Sequence, residues 1–157
     1  MPAMTDLERR LECPDPDATS ALGRALAAAA RAGDLVCLWG DLGAGKTHLA
    51  KAFGAGLGVT GTITSPSFIL MAEYEGRLPL FHIDLYRLAD ASDVLAGGLV
   101  DDRQAAGVTL VEWPDRMRDA LPAGRLDIRI DGTGDDARTV TLRAGGAAYR
   151  RYLEAVP

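Results

Sequence analysis

The run Gly40-Asp41-Leu42-Gly43-Ala44-Gly45-Lys46-Thr47 decides which fold we expect for this chain. It completes the GxxxxGK[ST] spacing of a phosphate-binding loop. The glycines let backbone N–H groups turn toward phosphate oxygens, and the helix that follows directs the positive end of its dipole to the same point. The lysine supplies a compact positive charge, and the threonine hydroxyl is a ligand for Mg²⁺. The run therefore predicts nucleotide binding.

The context of the loop supports this interpretation over a glycine-rich turn without a ligand. Lys46 is one of only two lysines in the chain; the rest of the 17 Lys and Arg residues are arginines. A planar guanidinium would not fit between phosphate oxygens as an ammonium does. Residues 34–39 predict an apolar strand before the loop, and residues 46–57 predict a helix after it that ends at Gly58. Strand, loop and helix follow one another as the motif requires.

Length and charge favour one soluble domain over residues 1–157. That length is enough to bury a core, and a charged fraction of 25% is ordinary for a globular protein. A net charge of -5 gives no broad basic surface for nucleic acid, although it leaves a local basic patch open. Cys13 and Cys37 lack metal or redox spacing and are expected to be free thiols. With no segment that resembles a signal peptide or a membrane span, we expect a cytoplasmic protein.

The chain as a whole predicts an α/β protein of the P-loop NTPase fold. We expect a mostly parallel central sheet flanked by helices, with added antiparallel strands. Besides residues 34–39, strands are expected at residues 62–74, 78–85, 108–111, 126–130 and 138–143. Helices are expected at residues 19–31, with Thr19 as N-cap, and at residues 46–57, 91–105 and 147–155, while residues 114–124 form a loop or a short helix. The continuous apolar run at residues 108–111 is typical of the centre of a sheet.

Acidic residues follow two of these strands. Asp84 ends the run Leu80-Phe81-His82-Ile83, and Glu112 follows residues 108–111. Carboxyl ends of parallel strands share the sheet edge that holds the phosphate loop, where an NTPase places a carboxylate beside Mg²⁺. Either acid alone could be a solvated strand end. Together they predict a metal-centred role for Glu112, while Asp84 positions or deprotonates the attacking water.

Other polar residues allow two interpretations each. The stretch Thr64-Ser65-Pro66-Ser67-Phe68 is either a plain loop or a segment that senses the terminal phosphate. We interpret His82 as a strand histidine in preference to a metal ligand, and His48 as an ordinary helix residue. Trp113 is either a core residue or an exposed aromatic anchor.

Four motifs taken together resemble the bacterial TsaE (YjeE) family in order and spacing. They are the phosphate loop, the stretch Ser65-Pro66-Ser67-Phe68, His82-Ile83-Asp84-Leu85-Tyr86-Arg87-Leu88 and Val111-Glu112-Trp113-Pro114. The resemblance covers residues 19–143. It implies an ATPase that uses Mg-ATP and supports synthesis of N6-threonylcarbamoyladenosine at position 37 of tRNA. It also implies that the protein acts with the proteins TsaD and TsaB, contacts tRNA only indirectly and does not bind a membrane.

The resemblance also assigns roles to residues. It implies that residues 40–47 and Lys46 in particular bind the nucleotide phosphates, that Thr47 and Glu112 hold Mg²⁺, and that Asp84 supports hydrolysis. Thr19 and Arg138 match positions near the nucleotide of the family, and Ser65, Pro66, Ser67 and Phe68 match a switch-like loop. The chain departs from the family's Glu-rich pattern at residues 93–98.

Two other functions use similar motifs. A small-molecule or nucleoside kinase also has this loop and this size, and Arg116 or Arg118 could belong to its lid. The Val-Glu-Trp-Pro motif and the lack of an evident lid helix argue against it. A nucleotide-gated interaction module would bind ATP without hydrolysis; the two acids at strand ends argue for hydrolysis. A GTPase is disfavoured because the chain has no NKxD motif.

Overall fold

The computed structural model describes residues 7–41, 43–61, 71–86 and 102–157. The strands are β1 (Glu8–Cys13), β2 (Leu35–Trp39), β3 (Met71–Tyr74), β4 (Leu80–Asp84), β5 (Val108–Glu112), β6 (Leu126–Asp131) and β7 (Arg138–Ala144). The α-helices are α1 (Pro16–Ala28), α2 (Lys46–Gly56) and α3 (Arg150–Glu154). Short 3₁₀ helices lie at Asp102–Ala106, Pro114–Ala120 and Ala147–Tyr149.

The seven strands form one sheet in the order β1-β7-β6-β2-β5-β4-β3. The four central strands β6, β2, β5 and β4 are parallel. Strands β7 and β1 extend the sheet antiparallel on one side, and β3 does so on the other. The predicted fold class is therefore confirmed, and β5 is an interior strand between β2 and β4 with all five residues buried, as its apolar run indicated.

The main core lies between one face of the sheet and the helices. Helices α1 and α2 pack together, and a Cβ at Gly23 of α1 would lie 2.7 Å from the Cβ of Ala52 of α2. This close approach requires a glycine, because 2.7 Å is well below ordinary contact. A smaller apolar cluster on the other face contains Cys37, Ile83 and Val111. Both cysteines are free, as expected, and both are buried.

The start of α1 differs from the sequence-based expectation. We expected Thr19 to be the N-cap, but the cap is Asp15, whose Oδ1 accepts a hydrogen bond of 2.8 Å from the N–H of Ala18. Pro16 then occupies the first helical turn, where its fixed φ and missing N–H are tolerated. Thr19 instead lies one turn inside the helix and is buried. The pair Asp15-Pro16 therefore indicates the start of α1 better than Thr19 does.

Other differences concern the ends of elements. Strand β1 was not predicted, because Arg9 shares the inward face with Leu11 and Cys13 and interrupts its apolar pattern. The expected terminal helix is divided into Ala147–Tyr149 and α3. The expected strand at residues 62–74 is described only over β3, and of the helix expected at residues 91–105 only the end is described, as the 3₁₀ helix Asp102–Ala106. The remainder of both lies outside the described residues.

The C-terminal helix is attached to the sheet by a buried carboxylate. Asp34, which precedes β2, accepts hydrogen bonds from the Tyr152 hydroxyl and the Arg151 guanidinium. The backbone N–H of Leu35 donates to the Tyr149 hydroxyl at 2.9 Å. Burial raises the pKa of the Tyr152 hydroxyl, and the neighbouring Asp34 carboxylate adds to this rise. The chain end thus covers the start of the strand that carries the phosphate loop.

The cap of α1 gives a stability test. Asp15→Ala should lower the free energy of unfolding by about 1 kcal/mol, because the Ala18 N–H loses its acceptor. For a domain of this size that loss corresponds to a melting temperature lower by about 2–4 °C. Asp15→Asn keeps a capping oxygen and is the matched control, with little change expected. Equal melting temperatures for Asp15→Ala and the unaltered protein in thermal unfolding would contradict the cap assignment.

Candidate functional site

The phosphate loop connects the end of β2 to the start of α2. Gly45 is the N-cap residue of α2 and has φ of 107°, a left-handed conformation that side-chain-bearing residues rarely adopt. Because no side chain among the described residues caps this helix start, its first N–H groups can bind an anion. Leu42 of the loop lies outside the described residues.

Lys46 lies in the first turn of α2 and is only 6% exposed. Its ammonium donates a hydrogen bond to the carbonyl oxygen of Gly40, so the lysine side chain closes back over the loop. Burial lowers the pKa of the Lys46 ammonium, and the carboxylates of Glu112 and Asp84 oppose that shift. The ammonium therefore carries charge in a partly desolvated position, where it attracts an anion more strongly than in water.

Trp113 forms the other wall beside this lysine. The Lys46 Nζ lies 3.6 Å from the centroid of the indole ring, which is a cation–π contact. The ring of Tyr86 lies 4.9 Å from the same indole. Among the described residues Trp113 is the only non-glycine with positive φ, at 60°. Such a backbone is uncommon for a bulky residue and is found at functional sites. The tryptophan is therefore half-buried: it packs against the smaller apolar cluster, and its ring contacts the lysine of the loop.

Glu112 ends β5 and faces the loop. It is only 3% exposed, and its Oε1 lies 3.2 Å from the hydroxyl of Thr47, which donates to it. A second hydrogen bond of 2.6 Å joins its Oε2 to Nε2 of His82. A buried carboxylate requires such donors, because its transfer out of water is costly when it is unpaired.

Asp84 ends β4 directly beside Glu112. The two residues are Cα partners in the parallel pairing of β4 with β5, so their side chains lie on the same face of the sheet. The Oδ1 of Asp84 accepts a hydrogen bond of 3.0 Å from the N–H of Tyr86. Two neighbouring carboxylates repel each other, and a cation placed between them would reduce that repulsion. The structure thus brings both predicted acids to the loop, at the carboxyl edge of the sheet.

These groups surround a phosphate cavity of about 300 Å³. It is lined by Gly43, Gly45, Lys46, Thr47, His48, Asp84, Tyr86, Glu112 and Trp113. A side cavity, also of about 300 Å³, shares Gly45 and His48 with it and extends toward the start of α1 and the turn before β7. The shared residues Gly45 and His48 therefore make the two cavities neighbours. A larger cavity of about 630 Å³ near Arg143 lies away from the loop and from all these groups.

Thr19 and Arg138, the two weaker sequence predictions, both line the side cavity. Arg138 lies at the start of β7, and its Nε donates to the carbonyl oxygen of Ala44 at 2.9 Å. Its Nη2 donates to the carbonyl oxygens of Gly134 at 2.9 Å and Gly43 at 3.3 Å. The arginine therefore holds the loop backbone against the turn that precedes β7.

Sequence reasoning underestimated two histidines. His48 lines both cavities, and its Nε2 lies 2.8 Å from the Ser20 hydroxyl and 3.0 Å from the carbonyl oxygen of Pro16. His82 is fully buried and contacts Glu112. The signal that could have found His82 is the alternation of β4, which places positions 82 and 84 on one face. Ser65, Pro66, Ser67 and Phe68, predicted as a switch-like loop, lie outside the described residues.

The hydroxyl and carboxylate oxygens of Thr47 and Glu112 suit a hard divalent cation such as Mg²⁺. In the part of the chain that the structure describes, no group of three or more His, Cys, Asp or Glu side chains could hold a metal ion. A cation here would need further oxygen ligands from phosphates and water, which is how Mg²⁺ usually binds. The same described residues include no helix long and apolar enough to cross a membrane.

The sheet order and the loop between β2 and α2 define the P-loop NTPase fold. Comparison with known proteins then specifies the family. The model of the family described as "Threonylcarbamoyl adenosine biosynthesis protein TsaE" matches residues 13–140. The chain belongs to the TsaE family.

Individual relatives agree with this assignment. The chain is 44% identical over 141 residues to the tRNA threonylcarbamoyladenosine biosynthesis protein TsaE of Bacillus subtilis, covering 89% of this chain and 88% of the relative. It is 42% identical to the protein of the same name from Streptomyces coelicolor, over 82% of this chain and 91% of the relative. The crystal structure of Bacillus subtilis YdiB superposes with a TM-score of 0.78 at 37% identity, covering 94% of this chain and 92% of that one.

The contact between Lys46 and Trp113 can be followed by fluorescence. Adding ATP should change the intensity or wavelength of tryptophan emission, because the ammonium turns from the indole to phosphate oxygens. Trp39, the other tryptophan, donates from its Nε1 to Asp127 at 2.8 Å and lies outside both cavities. Trp39→Phe should keep the change and Trp113→Phe should lose it. If the emission change is kept in Trp113→Phe and lost in Trp39→Phe, the contact between Lys46 and Trp113 is not its source.

Proposed function

We propose that this protein binds Mg-ATP at the phosphate loop and hydrolyses it in support of tRNA N6-threonylcarbamoyladenosine synthesis, acting in the cytoplasm with TsaD and TsaB. Family membership supports the process. The observation that carries the nucleotide chemistry is the convergence of Thr47, Glu112 and Lys46 within one cavity of about 300 Å³. In P-loop NTPases these three kinds of group bind the metal and the phosphates.

The cavity suggests a division of roles among the residues. Lys46 neutralises charge on the phosphate oxygens, and Thr47 and Glu112 hold Mg²⁺ directly or through water. When bound, the metal withdraws negative charge from the phosphates. Asp84 lies beside Glu112 and is placed to orient or deprotonate the attacking water. Thr19, His48 and Arg138 line the side cavity, where the nucleoside part of ATP would lie.

Hydrolysis by the isolated chain should be slow. The described lining of the phosphate cavity includes no arginine, and an arginine finger in other P-loop enzymes raises the rate by about 10³–10⁵. A partner protein could supply the missing charge or reposition the loop. The resemblance to the TsaE family implies TsaD and TsaB as these partners, and the lack of an arginine in the described lining is our reason for expecting that they raise the turnover, with contact to tRNA made through them.

The partner dependence is directly testable. Phosphate release from Mg-ATP should be slow with the chain alone and at least several-fold faster when TsaD and TsaB of the same organism are added. Lys46→Ala is the control, since loss of the loop charge should abolish both rates. Negligible release under both conditions would refute the ATPase proposal, and rapid phosphate transfer to a nucleoside or sugar would establish a kinase instead.

The two acids can be separated by substitution. Glu112→Ala should lower the hydrolysis rate by about 100-fold or more while ADP binding without metal stays within a few-fold, because the lost group acts through the metal and not through the nucleoside. Asp84→Asn is the comparison: it should lower the hydrolysis rate, but hydrolysis should still depend on Mg²⁺ as it does in the unaltered protein. Full activity of Glu112→Ala would show that Asp84 or another group is the metal-centred acid.

A further inference from the structure

The histidine of β4 has no part in the roles given above, yet it is the most completely buried polar residue at the site. His82 is 0% exposed, and its Nε2 lies 2.6 Å from Oε2 of Glu112. We propose that His82 is a positioning residue that orients the Glu112 carboxylate toward the metal. This inference rests on the proposed function, because it concerns how that site holds its cation.

The geometry follows from the pairing of the two strands. His82 pairs with Leu110 and Asp84 pairs with Glu112 in the parallel register, so the histidine lies two residues before Asp84 on the same face. Glutamate has one more rotatable bond than aspartate, so a glutamate ligand has more freedom to lose when it binds a metal. A hydrogen bond from the neighbouring strand removes that freedom before the metal arrives.

The donor and acceptor roles are set by the chemistry of the pair. A carboxylate only accepts, so Nε2 of His82 must carry the proton that it shares with Glu112. Nδ1 of His82 is buried without a hydrogen-bond partner among the described residues. The contact with Glu112 is therefore the one hydrogen bond that the ring makes among the described residues.

The consequence for the carboxylate is an asymmetry between its oxygens. Oε2 lies 2.6 Å from Nε2 of His82 and 3.5 Å from the Thr47 hydroxyl, whereas Oε1 is the oxygen nearer to that hydroxyl, at 3.2 Å. Oε1 is thus left facing the position where Thr47 and the phosphates would share a cation. Partners of this kind behind a metal ligand change metal affinity by about 10–100-fold when they are removed.

A matched pair of amides tests the donor. The Gln side chain has the same number of bonds from Cα to its amide nitrogen as His has to Nε2, so His82→Gln can still donate to Glu112. His82→Asn places its amide nitrogen near the position of Nδ1, too far back to donate to Glu112. Binding of Mn²⁺ to the ADP complex, measured by electron paramagnetic resonance, should weaken about 10-fold or more in His82→Asn. It should stay near the unaltered value in His82→Gln.

Two further measurements separate positioning from a structural effect. ADP affinity without metal should be unchanged in both variants, and the Mg²⁺ concentration for half-maximal hydrolysis should rise in His82→Asn with little change in kcat at saturating Mg²⁺. If His82→Asn does not fold, His82→Leu removes the donor with an apolar side chain suited to a buried position. That variant should show the same loss of metal affinity.

The outcomes are distinct. Equal Mn²⁺ affinity in all variants, or equal loss in His82→Gln and His82→Asn, would overturn the positioning role while leaving the proposed function intact. If the unaltered protein binds no Mn²⁺ with ADP, the proposed function fails and this inference fails with it. Loss in His82→Asn and His82→Leu with retention in His82→Gln is the result we expect.

Discussion

The buried Glu112 carboxylate is the constraint around which this site is arranged. At 3% exposure it needs hydrogen-bond donors, and it receives them from Thr47 at the start of α2 and from His82 on β4. These partners come from two separate segments of the chain, so the carboxylate links the phosphate loop to two strands. The parallel register of β4, β5 and β2 brings them together, because it aligns the carboxyl ends of the strands at one edge.

The same edge supplies the remaining charge and its aromatic neighbour. Trp113 follows Glu112 in a left-handed backbone conformation, and this turn places its indole 3.6 Å from the Lys46 ammonium. The lysine ammonium therefore contacts both the indole face and the carbonyl oxygen of Gly40. Under the proposed function, a phosphate would compete with these contacts for the ammonium and so couple the binding of an anion to the position of Trp113.

Much of the fold could be predicted from local patterns. The strand before the loop, the helix after it and the buried strand β5 all formed as expected, because hydrophobic periodicity and glycine spacing are local properties. The starts and ends were less predictable. Thr19 was expected to cap α1, but Asp15 is the cap and Pro16 follows it in the first helical turn. Strand β1 was not predicted, and it forms through long-range pairing with β7. A strand at an edge owes its existence to its neighbour, which sequence pattern alone does not reveal.

For the candidate site, sequence alone determined the chemistry of the residues. Lys46, Thr47, Asp84 and Glu112 were predicted because each residue type follows a recognisable strand or loop pattern, and the structure brings all four to one cavity. Only the tertiary structure decided how they are held. The contacts of His82 with Glu112 and of Arg138 with Ala44 join segments that lie 30 and 94 residues apart. Such contacts depend on strand order and register, which pack distant segments together and leave no mark in local sequence.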